Sequence, residues 1–196
     1  VIVIATPTRD MVTAGFAGDL VKLCRRHPDA RFAALMGIYI ASLRCSAVSL
    51  AQQVGASHLL FIDSDMRFPE DTIDRLVARD KDIVAANAVQ RTMSEWWNSR
   101  VDGQSVSSEG RSGLQSVDST GCGVMLIKMS VFDRLPSPAF ETPFDGHHHV
   151  GEDLYFCRLA RAHGFTVWID HDLSQFVRHQ GTVEHGVQQL ERQAIA

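Results

Sequence analysis

The chain has 196 residues, 45% of them hydrophobic and 21% charged, and a formal net charge of −4. These values fit a single globular domain that can bury a core without disulfides or a structural metal, and they exclude a disordered or fibrous chain. Apart from the short basic run Lys22, Arg25 and Arg26, no polybasic stripe marks nucleic acid as the main partner, and no apolar stretch approaches the roughly 20 residues that span a bilayer.

Residues 1–5 are a β-branched run ending in Thr6-Pro7-Thr8, the pattern of a strand buried on both faces. Phe16, Leu20, Leu23 and Cys24 recur at helical spacing over Ala14–Arg26, with Pro28 as the stop, and a second strand is expected at Arg31–Met36. Leu43, Ala47, Leu50, Ala51 and Val54 predict a helix over 42–54, capped by Gly55. The apolar run His58–Ile62 ends abruptly in Asp63-Ser64-Asp65. Pro69 is expected at the first position of the next helix, whose opening turn carries Glu70 and Asp71.

A further strand is expected at 82–88. From 91 to 116 the pattern dissolves around Trp96 and Trp97 into a long loop expected to be a mobile flap; a Gly-interrupted strand follows at 117–129 and a polar loop at 145–151. A helix at 152–163, a strand at 165–169 and a terminal helix at 187–195 complete the chain, and no internal repeat is found. Alternating strands and helices specify a mostly parallel sheet covered on both faces, a Rossmann-like three-layer sandwich whose ligands bind at the carboxyl ends of the strands. That puts Asp63 and Asp65 at the ligand edge. Cys24, Cys45, Cys122 and Cys157 stand singly, without C-x-x-C spacing, and are expected as reduced, buried thiols. The first residues are too short and uncharged a run for a signal peptide, so a cytoplasmic location is expected.

Two carboxylates two residues apart at a strand end can hold one hard divalent cation, which prefers oxygen ligands and keeps positions for phosphate oxygens. The plainer alternative is a polar turn in which Asp63 or Asp65 caps the following helix. The stretch 56–66, with its D-x-D, resembles that segment of GT-A glycosyltransferases, including those grouped with family 2 and its small bacterial and phage relatives. Thr6-Pro7-Thr8-Arg9 resembles their first nucleotide-binding loop, and Arg44 lies where related enzymes carry an Arg near the nucleotide. Gly121-Cys122-Gly123-Val124-Met125 resembles their Gly-rich acceptor-side strand, and Gly151-Glu152-Asp153 their E-D motif. The motifs come in the family's order and cover most of 1–181.

The resemblance implies a single GT-A domain over 1–196, with a nucleotide-sugar-binding half at about 1–90 and an acceptor half at about 117–181. It implies a nucleoside-diphosphate sugar as donor, a UDP-sugar ahead of a GDP-sugar, and Mn²⁺ or Mg²⁺. Thr6, Thr8, Arg9, Arg44, Asp63, Ser64, Asp65 and Arg178 are the expected donor-binding residues, with Asp63 near ribose or metal and Asp65 a metal ligand. His179, in Arg178-His179-Gln180-Gly181, resembles the H-x-G that several GT-A enzymes place on the metal; otherwise it is a surface or satisfied core histidine. Arg178 either neutralises diphosphate or is solvated.

Glu152 and Asp153 open a predicted helix, where the dipole favours negative charge and is expected to lower their pKa. Either caps the helix, binds an acceptor hydroxyl or takes its proton, the last being the role of Asp153 in an inverting enzyme. His147-His148-His149 is assigned no metal, because consecutive side chains diverge. Trp96 and Trp97 either stack on a sugar or dock the flap on the core. A haloacid-dehalogenase-like phosphohydrolase also uses D-x-D, though usually on its first strand, and a non-catalytic nucleotide-sugar-binding module is the third alternative. The acceptor, whether glycan, small molecule, protein or modified DNA, and a possible homo-oligomer are left open.

Overall fold

The computed structural model describes residues 1–90 and 96–181 together with the backbone of 184–185. In chain order the elements are β1 (Ile2–Thr8), α1 (Ala14–Arg26), β2 (Arg31–Met36), α2 (Ile40–Gln53), β3 (His58–Ile62), β4 (Met66–Arg67), α3 (Thr72–Ala78), β5 (Ile83–Ala85), β6 (Arg100–Val101), β7 (Gln104–Ser105), β8 (Leu114–Val117), β9 (Val124–Lys128), α4 (Met129–Phe132), α5 (Glu152–Ala162), β10 (Val167–Asp170), α6 (His171–Ser174), β11 (Arg178–Gln180) and β12 (Glu184–His185). Seven strands form one sheet in the order β2-β1-β3-β9-β5-β10-β8. Five run parallel to one another, while β9 and β8 run against them.

The strands are apolar on both faces because both faces are covered. Ala47, Val48 and Ala51 of α2, Phe132 of α4 and Phe156, Cys157 and Ala160 of α5 close one side over Val3, Phe61, Met125 and Ile169. Phe16 and Leu23 of α1, Ile73 and Leu76 of α3 and Leu173 of α6 close the other over Ile4, Leu60, Val84 and Leu126. This is the expected three-layer α/β sandwich with a mostly parallel sheet. Among the described residues, no helix is long and apolar enough to cross a membrane.

The antiparallel β9 matters most for the site. It lies between β3 and β5, so its amino end, Gly121–Gly123, reaches the edge where the parallel strands have their carboxyl ends. There the Asp63 N–H donates to the Gly123 carbonyl at 2.9 Å. A small sheet, β12-β11-β4, stands over the same edge and pairs His179 with Met66.

Several boundaries differ from the sequence expectations. β1 runs on to Thr8. Pro69 does not open α3; its carbonyl accepts the Thr72 N–H in a turn, and Asp71 is the N-cap position, so neither Asp63 nor Asp65 caps this helix. The expected strand 117–129 is two strands, because Asp118 to Gly123 carry the chain from the outer edge at β8 to the middle at β9. The expected loop 91–116 holds the β6–β7 hairpin and most of β8. Buried Asn87 ties it down by donating to the Val106 carbonyl at 2.7 Å and to Ser108 Oγ at 3.0 Å, while accepting from Ser99 Oγ at 2.8 Å. Residues 91–95 and the expected helix at 187–195 lie outside the described residues. Cys122 and Cys157 are buried as expected, whereas Cys24 and Cys45 are only half-buried.

Candidate functional site

The carboxyl edge of the sheet opens into a cleft of about 480 Å³. Pro7, Thr8 and Arg9 form one wall, and Gly37, Ile38, Ile40, Leu43 and Arg44 a second. The floor is Asp63, Ser64, Asp65 and Met66, and Asn98, Gly121, Cys122, Gly123, Glu152, Asp153 and His179 close it. A larger hollow of about 550 Å³ between α2 and residues 138–143 has a single charged lining residue, Glu141. The smaller cleft is the candidate site because the carboxylates and the histidine converge there.

Arg44 organises the cleft from beneath. It is 2% exposed, and its Nη2 stands 3.0 and 3.3 Å from the two carboxylate oxygens of Asp63, while Nε donates to Glu152 Oε1 at 3.0 Å. Burial works against the guanidinium charge, but the Asp63 and Glu152 carboxylates override it, so its pKa is raised. The guanidinium also lies over the Phe61 ring, 5.0 Å from its centroid. Its Nη1 is buried without a hydrogen-bond partner among the described residues. Arg44 is thus a tie between the D-x-D turn and the first turn of α5, with two of its three nitrogens already engaged by protein carboxylates.

Asp65 meets a different partner. Its Oδ2 is 3.2 Å from His179 Nε2. His179 Nδ1 lies 3.2 Å from the Val89 carbonyl, an oxygen that can only accept, so Nδ1 carries the proton and Nε2 faces the carboxylate. The Gln180 N–H donates to the Asp65 carbonyl at 2.6 Å and fixes the two segments together. Among the described residues no group of three or more His, Cys, Asp or Glu is arranged to hold a metal ion. Asp63, expected near ribose or metal, has its carboxylate against Arg44 at the cleft floor.

At the amino end of α5 the two acidic neighbours separate in role. Glu152 is held by Arg44. Asp153 Oδ1 accepts the Leu154 N–H at 2.7 Å, yet its pKa is pushed up to about 6, by burial first and then by the Glu152 charge, against the opposing pull of that N–H and of Arg44. The expected lowering by the helix dipole is therefore overturned, because desolvation outweighs it. Gly151 makes room for this carboxylate, since a Cβ there would lie 2.9 Å from Asp153 Oδ1.

Other expected residues fall on both sides of the cleft wall. Thr8 and Arg9 line it, and Thr8 Oγ1 donates to the Met11 carbonyl at 2.8 Å, shaping the loop after β1. Thr6 is fully buried in β1 and is not at the cleft surface. Arg178 is exposed, outside the cleft lining, on the strand position next to His179. Trp97 is 3% exposed and packs on Val89 in a small cluster apart from the two main cores, beside the carbonyl that holds His179. Trp96 is exposed under the Arg100 guanidinium. The three histidines make separate contacts: the N–H groups of His147 and His148 go to Asp145 Oδ1, and His149 Nδ1 to the Thr142 carbonyl. Cys122 lines the cleft, and burial keeps its thiol protonated. Asn98 and the wall at Gly37–Leu43 were not singled out in the sequence, where nothing local marks them.

No family model and no curated protein matches the chain. Among solved structures, protein A197 of STIV superposes with a TM-score of 0.68 at 17% identity, covering 92% of this chain and 85% of its own. A candidate nucleotide-diphospho-sugar transferase from Desulfovibrio desulfuricans gives 0.49 at 11% identity, covering 86% and 78%. The inositol-1-phosphate CTP transferase of T. maritima gives 0.46 at 10%, covering 86% and 88%. The α/β class expected from the sequence, a mostly parallel sheet flanked by helices, is the fold observed.

Two outcomes follow from the charges. Arg44→Met leaves Asp63 and Glu152 without their shared cation and is expected to cost about 3–5 kcal/mol in denaturant unfolding. Asp153 has a folded pKa of about 6 against an ordinary 3.8, so its charge destabilises the fold above pH 6 and the penalty fades as pH falls towards 4. Asp153→Asn is therefore expected to raise stability by about 2–3 kcal/mol at pH 8 and by only about 0.5 kcal/mol at pH 4, checked by denaturant unfolding at both.

Proposed function

We propose that this protein is a metal-dependent glycosyltransferase that moves a sugar from a nucleoside-diphosphate donor, a UDP- or GDP-sugar, to an acceptor hydroxyl. The observation that carries the proposal is the pairing of Asp65 Oδ2 with His179 Nε2 at the carboxyl edge. With Nδ1–H given to the Val89 carbonyl, His179 turns Nε2 towards that carboxylate. Two acceptors face each other, and a proton or a metal ion between them resolves the repulsion. Such a ring, anchored through its other nitrogen, is the usual arrangement of a histidine that ligates a metal. One carboxylate and one imidazole suit Mn²⁺ or Mg²⁺ when donor phosphates and water supply the remaining positions.

Asp65 and His179 would hold the cation, whose chemistry is to neutralise the charge that develops on the departing diphosphate. Thr8, Arg9 and Ser64 line the donor end of the cleft, and Asp63, fixed by Arg44, is left for the ribose. Glu152 is a positioning residue. Asp153, with a pKa of about 6, is ionised at neutral pH yet basic enough to take the proton of the attacking hydroxyl, which favours an inverting reaction. Thr6 and Arg178 receive no role.

A thermal-shift screen of UDP- and GDP-sugars with and without Mn²⁺ or Mg²⁺ tests the donor site. One nucleotide is expected to stabilise the protein in a metal-dependent way, by about 2.7 kcal/mol at 100 times its Kd. Asp65→Ala is expected to fold and to lose the metal-dependent part; retention of that part would overturn the assignment. Once an acceptor is found, kcat/KM is expected to be flat above pH 7 and to fall about tenfold per unit below about 6, as Asp153 protonates. A profile flat to pH 5 would remove Asp153 as the base.

A further inference from the structure

β2 is an open edge. Among the described residues it pairs only with β1, and its six residues, Arg-Phe-Ala-Ala-Leu-Met, include no Pro, Gly or Lys of the kind that keeps natural edges from pairing. Its register with β1 sets Phe32, Ala34 and Met36 on the sheet face of Ile4, the face covered by α1 and α3, while Leu35 packs on the opposite core against α2. The helices do not reach the first set. Phe32 is 41% exposed and Met36 73%, Ala34 is exposed too, and Ile38 and Tyr39 just beyond the strand are each 73% exposed.

We infer that this edge is the interface of a homodimer, in which β2 pairs antiparallel with β2 of a second copy about a twofold axis at Ala34. The axis follows from the pleat. Side chains alternate between the faces, and a twofold perpendicular to the sheet keeps each face continuous across the pair. Centring on Ala34 sets Phe32 opposite Met36 of the second copy, twice, and leaves the two alanines touching between them. That gives two thioether–aromatic contacts flanking a pair too small to clash.

A second copy fits this edge better than a charged partner, because the strand offers one charge, Arg31, and otherwise only apolar side chains and unpaired backbone. Complete burial of Phe32, Met36, Ile38 and Tyr39 from both copies would remove at most on the order of 1,000 Å² from water, the low end for a specific interface, so association is expected to be weak. The pairing joins two seven-stranded sheets into one, with Gly37 and Ile38 of each cleft wall next to the interface.

Sedimentation velocity on the intact chain from about 1 to 100 μM tests the inference, since an interface at the low end of the size range belongs to the weak, transient class. The wild type is expected to shift from monomer to dimer over that range. Ala34→Lys sets two ammonium groups against each other on the axis and is expected to abolish the shift while leaving thermal unfolding of the dilute monomer unchanged. In a Cys24→Ser, Cys45→Ser background, Ala34→Cys is expected to give a disulfide-linked dimer with copper–phenanthroline, and the background alone none. A wild type that stays monomeric at the top concentration, or a dimer that survives Ala34→Lys, would overturn the inference. So would a monomer whose Ala34→Lys variant unfolds at lower temperature, which would mean that the same chain covers its own edge. These readouts use no nucleotide, so they stand or fall apart from the proposed activity.

Discussion

A single buried guanidinium holds the site together. Arg44 reaches from α2 to Asp63 after β3 and to Glu152 at the start of α5, positions 19 and 108 residues away in the chain. A charge taken out of water is tolerated only where opposite charges and hydrogen bonds replace its hydration, so Arg44 needs both carboxylates in place. The carboxylates need it equally, since two negative groups at one strand edge would otherwise repel. The packing of α5 beside α2 and the geometry of the cleft therefore depend on the same contacts.

That tie divides four acidic residues into two kinds. Asp63 and Glu152 are engaged by Arg44. Asp65 and Asp153, each adjacent or nearly so in sequence to one of them, meet the cleft with other surroundings: a histidine for Asp65, and a desolvated niche kept open by Gly151 for Asp153. Carboxylates close together in sequence therefore sit in unlike surroundings at one edge of the sheet. The geometry, rather than the fold, carries the functional proposal, because an α/β sandwich of this kind hosts many activities.

At Asp153 the ionised carboxylate costs the fold stability. Its elevated pKa is the signature of a carboxylate held where the fold would prefer a neutral group. β2 shows a related conflict at the other end of the molecule. Among the described residues, a six-residue edge packed by α2 on one face leaves Phe32 and Met36 exposed on the other.

The sequence by itself determined the layered sheet and the place of the carboxylates. Runs such as His58–Ile62 and helices such as Ala14–Arg26 announce their burial through local periodicity, and an acidic turn after a buried parallel strand must lie at the ligand edge. Only the tertiary structure decided what those residues touch. That Arg44 is spent on Asp63 and Glu152, that Thr6 is buried, that Trp97 docks on Val89 and that residues 114–117 add a seventh strand all depend on strand order. So does the pKa of Asp153, where burial by distant segments beats the local helix dipole that the sequence displays. Periodicity reports which side of an element faces inward; it carries no information on which distant element will be found there, because that is settled by packing among segments far apart in the chain.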